Sequence, residues 1–131
     1  MAGVEVTKWN KTLTMTKLEI IRFQIMVHCH FQKIHISSAD LDCLTLLGQE
    51  GLAELTAFCE LLTQKSIFKS IQSSRNAITR LQDKKLIFKE GRNKKKVSVH
   101  PELKVQKNGN VLVDIKCFSP QKELATQLVT N

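Results

Sequence analysis

The chain has 131 residues, of which 42% are hydrophobic and 24% are charged, and it carries a net charge of +8. This length and composition predict one soluble globular domain with short extensions. Because the sequence contains neither a long apolar run nor a charged-then-apolar leader, we expect no membrane span and no secretion. The four cysteines lie singly, without a Cys-x-x-Cys pair, which favours reduced and mostly buried thiols in a cytoplasmic protein.

The first long apolar pattern runs from Ile21 to Phe31. Hydrophobic residues occupy the odd positions, while the even positions carry Arg, Gln, Met and His, so the period of two predicts a half-buried strand. A helix is the competing interpretation, because Thr16 and Glu19 form a capping-box signature. We prefer the strand and expect residues 1–16 either to fray or to add an edge strand.

Two helices are predicted next. Ser37 or Ser38 can cap the first one, Leu41, Leu44 and Leu47 form its apolar stripe, and Gly48 is placed to end it. The second helix starts at about Leu52. The stretch from Asp40 to Glu60 contains five acids and no Lys or Arg, so we expect this part of the chain to face away from an anionic partner.

The segment from Ser70 to Lys84 predicts a third helix, with Ser70 as its N-cap. Its apolar stripe comprises Ile71, Ser74, Ile78 and Leu81. The opposite side of the helix, with Arg75 at its border, carries side chains of the types that hydrogen-bond phosphates and base edges. Together with the cap, these candidate DNA-binding residues are Ser70, Gln72, Ser73, Arg75, Asn76, Thr79 and Arg80.

A basic hairpin follows this helix. Strand-like runs at 86–89 and 96–100 flank a turn that contains Gly91 and Asn93. Residues 84–107 hold nine Lys or Arg and two acids, which gives +7 of the total +8. Such a concentrated charge is typical of a surface that binds a phosphate backbone. The candidate phosphate contacts are Arg92, Asn93, Lys94, Lys95 and Lys96.

Beyond Pro101 the sequence predicts a second hairpin around Asn108-Gly109, and a short tail helix after Ser119-Pro120. Its second strand, 110–118, could pair with the predicted N-terminal strand. The outer strands should pair either within the chain or across a homodimer, because unpaired strands aggregate.

This order of elements predicts an α+β fold, a winged helix-turn-helix core of three helices and a β-hairpin wing, with additional N- and C-terminal strands. The predicted divisions are an N-terminal extension at 1–36, the winged helix-turn-helix domain at 37–100, and a C-terminal hairpin with a short tail helix at 101–131.

The segment from Ile67 to Leu81, followed by Lys85-Leu86-Ile87, resembles the recognition helix and wing of winged-helix transcriptional regulators and of RepL-type plasmid or phage replication proteins. The run Val97 to Leu103 is similar to the way such replication proteins leave their wing. The resemblance covers roughly residues 38–118. It implies that Gln72, Ser73, Asn76, Thr79 and Arg80 face the major groove, and that Arg92, Lys94, Lys95 and Lys96 grip phosphates.

Other kinds of site are weaker. On a strand, His28 and His30 would point away from Cys29, so these residues and His35 match no zinc pattern, and we expect neither a metal nor a cofactor. Asp40 and Asp42 do not share a helix face, and no Gly-rich phosphate loop is present, so we expect no enzyme activity. The six phenylalanines lie in apolar stripes and are predicted to be core, which leaves no stacking platform for single strands.

The sequence therefore predicts a double-stranded DNA-binding protein that acts as a transcriptional regulator or a replication protein. The alternative is a winged helix used as a protein-interaction module for an acidic partner. Exposed Leu, Phe or Trp on the third helix would favour that alternative.

Overall fold

The computed structural model describes residues 5–8, 14–106 and 116–119. Four helices and a three-stranded sheet belong to one compact unit, Met15–Gly109, and a separate strand pair belongs to a second unit. The helices are α1 (Lys17–Phe31), α2 (Ser38–Glu50), α3 (Leu55–Gln64) and α4 (Ile71–Asp83). The strands are β1 (Glu5–Lys8), β2 (Ala53–Glu54), β3 (Ile87–Glu90), β4 (Lys96–Val99) and β5 (Lys116–Ser119).

Helix α1 corrects the prediction of a strand at 21–31. The capping box is complete: the Glu19 amide donates to Thr16 Oγ1 at 3.2 Å, and the Thr16 amide donates to Glu19 Oε1 at 2.9 Å. Ile21, Ile25 and Cys29 are buried at a spacing of four residues. The alternation of hydrophobic and polar residues was misleading, because the outer face of α1 also carries apolar residues. The alternation in the sequence therefore did not correspond to alternating burial.

Helix α2 is capped by Ser37, whose Oγ accepts from the Asp40 amide at 3.0 Å. The predicted stripe of Leu41, Leu44 and Leu47 is buried, as expected. The end of the helix is not at Gly48. The helix continues to Glu50, and Gly51 caps it with a φ of 82°, a conformation that favours glycine.

Gly48 instead permits close packing between α2 and α1. A Cβ at this position would lie 2.7 Å from Cγ2 of Ile21, which is closer than side-chain carbons approach one another. Its role is therefore to make room for Ile21.

Helices α3 and α4 complete the predicted set of three. Phe58, Cys59 and Leu62 of α3 are buried, and the link between the two helices packs Ile67 and Phe68 against the same core. The prediction that all six phenylalanines belong to the core was wrong. Phe31 is 76% exposed and Phe88 is 40% exposed.

The wing is the antiparallel pair β3–β4, in which Ile87 faces Val99 and Glu90 faces Lys96. Strand β2 adds a third, short strand, with Ala53 opposite Val97, so the sheet order is β2-β4-β3. Because β2 lies just before α3, this pairing joins the wing to the helices. The winged helix-turn-helix prediction is confirmed.

The second unit contains β1 paired antiparallel with β5, with Val6 opposite Phe118. Pairing of the outer strands within the chain was one of the two expected outcomes. The predicted N-terminal partner was wrong, since residues 21–31 are helical and β1 takes that place. The Asn108-Gly109 turn, residues 110–115 and the tail helix fall outside the described residues, and the domain boundaries at 36 and 100 stay predictions.

Candidate nucleic-acid interface

Helix α4 is held by one face and leaves the other free. Ser70 is the N-cap, as predicted, and its Oγ accepts from the Ser73 amide at 3.0 Å. Ser74, Ala77, Ile78 and Leu81 are buried. The buried hydroxyl of Ser74 has a hydrogen-bond partner, because it donates to the Ser70 carbonyl at 3.0 Å. The helix is therefore fixed in rotation by its core face.

The outward face of α4 is polar, as the sequence predicted. Gln72, Asn76 and Thr79 are exposed and recur every three or four residues, which places them on one side of the helix. Gln72 Nε2 donates to Asn76 Oδ1 at 2.9 Å, so the two amides are linked before any ligand binds. Asp83 is also exposed at the end of this face, and it is an anion that the predicted DNA-binding set does not include.

The two arginines of α4 flank this face and are tied to neighbouring helices. Arg75 donates from Nη2 to Thr56 Oγ1 of α3 at 3.0 Å. Arg80 donates from Nη2 to Asp40 Oδ1 of α2 at 2.7 Å. This hydrogen bond raises the pKa of Arg80, so its guanidinium stays charged. The Arg80 side chain is 47% exposed, whereas that of Asp40 is 4% exposed.

Asp40 thus lies against the predicted recognition helix, although the sequence placed its acidic stretch away from that surface. A second pair joins Asp42 to Arg22 of α1. These are the two salt bridges within the described residues. Two acids of α2 are therefore paired with arginines of the protein itself, Asp40 in a buried position and Asp42 at the surface, and a base contact by Arg80 stays a prediction.

The wing carries its cations outward. Its turn is a single 3₁₀ turn, Arg92–Lys94, in which Asn93 and Lys94 have φ values of 59° and 52°. The Lys94 amide donates to the Gly91 carbonyl at 3.0 Å and closes the turn. The predicted contacts Arg92, Asn93, Lys94, Lys95 and Lys96 are all exposed, and none forms a salt bridge with a described residue. These five residues are called the wing tip below.

Two exposed side chains near this surface were not predicted. Ile71, expected in the apolar stripe, is 42% exposed in the first turn of α4. Phe88, expected in the core, lies on β3 and meets the ring of His100 edge to face, with centroids 5.8 Å apart. An aromatic side chain therefore stands on the wing, contrary to the prediction that none would. Hydrophobic periodicity alone could not predict the exposure of either side chain. Each residue keeps the spacing of the buried residues but lies beyond the elements that cover them.

No group of three or more His, Cys, Asp or Glu in the described part of the chain could hold a metal ion. His28, Cys29 and His30 lie on helix α1 and not on the predicted strand. Cys29 is buried, and the ring of His30 meets that of Phe31 edge to face, with centroids 5.9 Å apart. Consecutive helical residues point about 100° apart, so these three side chains still diverge.

No family model and no curated protein matches the chain. A solved structure described as a zinc uptake regulator complexed with zinc and DNA is similar in fold, with a TM-score of 0.54. It is 11% identical in sequence, and the match covers 88% of this chain and 81% of that one. The similarity supports the winged-helix fold that the arrangement of α2, α3, α4 and the wing shows directly.

None of the described helices is long and apolar enough to cross a membrane. The cytoplasmic location stays a prediction.

Proposed function

We propose that this chain is a double-stranded DNA-binding protein that acts as a transcriptional regulator. In this proposal, α4 lies in the major groove and the wing tip lies on the adjacent phosphate backbone. The observation that carries it is the combination of two features: a polar face on α4, whose other face is fixed in the core, and a wing that packs on α4 through β3 and exposes five tip residues, four of them cationic.

The chemistry of this surface suits DNA better than an acidic protein. Phosphates attract cations that are not already paired, and the wing-tip Lys and Arg form no salt bridge with described acids. Base edges are read by hydrogen-bond donors and acceptors, and the major groove is wide enough to admit a helix that presents them. The side-chain amides of Gln72 and Asn76 contain both a donor and an acceptor. A protein interface would instead favour large apolar anchors, and the exposed apolar residue of α4 is a single Ile71.

The regulatory role draws on the structural neighbour, which is a regulator in complex with DNA. The replication role has no support in the comparisons, and neither has a homodimer. We propose a binding protein without enzyme activity.

The proposal predicts a strong salt dependence. If four to six side chains neutralise phosphates, the logarithm of affinity should fall with the logarithm of salt concentration with a slope of roughly −4 to −5. Removing two of these contacts should make the slope shallower by about 1.8.

The test is fluorescence anisotropy of a labelled random-sequence duplex as a function of salt. The wild type is compared with Lys94→Glu/Lys95→Glu and with a matched control, Lys17→Glu/Lys33→Glu. The control makes the same change of net charge at the two ends of α1, and it includes Lys33, whose φ of 57° resembles the 52° of Lys94.

We expect the wing variant to weaken binding and flatten the slope, while the control retains the slope. Equal losses in both variants would show that net charge alone, and not this surface, attracts DNA. No binding by the wild type at low salt would overturn the proposal and favour an acidic protein partner.

A further inference from the structure

Ile71 is exposed where the pattern of α4 called for burial. It is the first residue of the helix, it is 42% exposed, and the other apolar residues of α4 are buried. The first turn of a recognition helix is the part that enters the major groove. In that groove thymine offers one apolar group, the C5 methyl, which aliphatic side chains contact.

The side-chain amides of Gln72 and Asn76, next along the helix, offer hydrogen-bonding groups that match those of adenine. The hydrogen bond from Gln72 to Asn76 uses one donor of the first residue and one acceptor lone pair of the second. The linked pair keeps both donors of the Asn76 amide nitrogen, the second donor of Gln72 and the Gln72 carbonyl oxygen. Adenine presents a complementary set in the major groove, because N7 accepts and the N6 amino group donates.

We infer that α4 selects A·T base pairs, with the linked amides of Gln72 and Asn76 on adenine and Ile71 against a thymine methyl. This inference rests on the proposed function and deepens it. Guanine fits the amide pair less well, since both of its groove atoms are acceptors and it offers no donor to the Gln72 carbonyl oxygen. Cytosine lacks the methyl group.

The first experiment isolates the methyl group. Anisotropy is measured with equal-length duplexes of alternating dA-dT and alternating dA-dU, which differ at the C5 methyl. The proteins are the wild type, Ile71→Ala, Ile71→Leu as a conservative rescue, and Leu18→Ala as a matched control. Leu18 has the same exposed fraction of 42%, but it lies on α1.

For each methyl contacted, we expect the wild type to prefer dA-dT over dA-dU by about fourfold. Ile71→Ala should lose this preference, while Ile71→Leu and Leu18→Ala keep it. Measuring the difference between the two duplexes within each variant separates the methyl contact from any general loss of binding.

The second experiment addresses the amides. Replacing adenine by 7-deazaadenine removes the N7 acceptor and leaves the rest of the base pair in place. The wild type should bind the modified duplex at least about fivefold more weakly, and Gln72→Ala/Asn76→Ala should bind both duplexes equally.

The outcomes separate this inference from the proposed function. Binding that is salt-sensitive but equal for dA-dT, dA-dU and dG-dC duplexes would overturn the inference and leave the function intact. A methyl preference that persists in Ile71→Ala would refute the role of Ile71. No binding to any of these duplexes at low salt would overturn the proposed function itself.

Discussion

The ion pair between Arg80 and Asp40 predicts an asymmetric response to mutation. Asp40 is nearly inaccessible to water, and its carboxylate accepts from Arg80 at 2.7 Å. Arg80→Ala leaves that anion buried without its cation. Removing one partner of a fully buried pair costs 3–5 kcal/mol, but Arg80 is 47% exposed, so we expect a loss of about 2 kcal/mol in the free energy of unfolding.

Asp40→Ala should cost less, about 1 kcal/mol, because the freed guanidinium can turn into water. The double variant should also lose about 1 kcal/mol, since no charge is left buried. Urea unfolding followed by far-ultraviolet circular dichroism gives all three values without DNA. If the two single losses simply add, to about 3 kcal/mol in the double variant, the residues are not coupled and the reasoning fails.

Three further predictions concern packing, capping and thiol chemistry. Gly48→Ala should lower the free energy of unfolding, measured in urea, by about 1–3 kcal/mol. Adding Ile21→Leu, which lacks the clashing Cγ2, should restore part of this loss, and no rescue would refute the contact. Hydrogen bonds from Thr16 lower the pKa of Glu19, so its stabilising effect should be present above its ordinary pKa of 4.5 and fade as the pH falls further. A urea series against pH should therefore be flatter for Glu19→Gln, and identical profiles would contradict this. Burial raises the pKa of the Cys43 thiol to about 12, so alkylation at pH 8, followed by mass spectrometry, should modify Cys43 only after unfolding.

Helix α4 and the wing were predictable because their signals are local. Ser70 caps the helix three residues before the amide it binds, and Gly91 and Asn93 supply the turn at the tip. Neither signal depends on residues far away in the chain. The bounds of α4 and both wing strands therefore follow the sequence closely.

Helix α1 was missed because two periodicities coexist in 21–31. Its buried residues are four apart, as in a helix, while its outer face is apolar enough to imitate alternation. The capping box at Thr16 and Glu19 was the better guide, since it reports a backbone conformation directly.

The contacts that organise the candidate interface come from distant parts of the chain. Arg80 and Asp40 are 40 positions apart, and Arg75 and Thr56 are 19 apart. Sequence patterns predicted the polar face of α4 but did not indicate that both arginines are held by other helices. Exposure of Ile71 likewise depends on where the neighbouring elements stop covering the helix.

The most direct test of the DNA-binding account is a nuclear magnetic resonance titration of the isotope-labelled chain with an unlabelled duplex at low salt. We predict that the amide signals that shift are those of α4 from Ser70 to Arg80 and of the wing tip, while those of α1 stay in place. Shifts confined to α1, or spread evenly over all exposed lysines, would contradict the account.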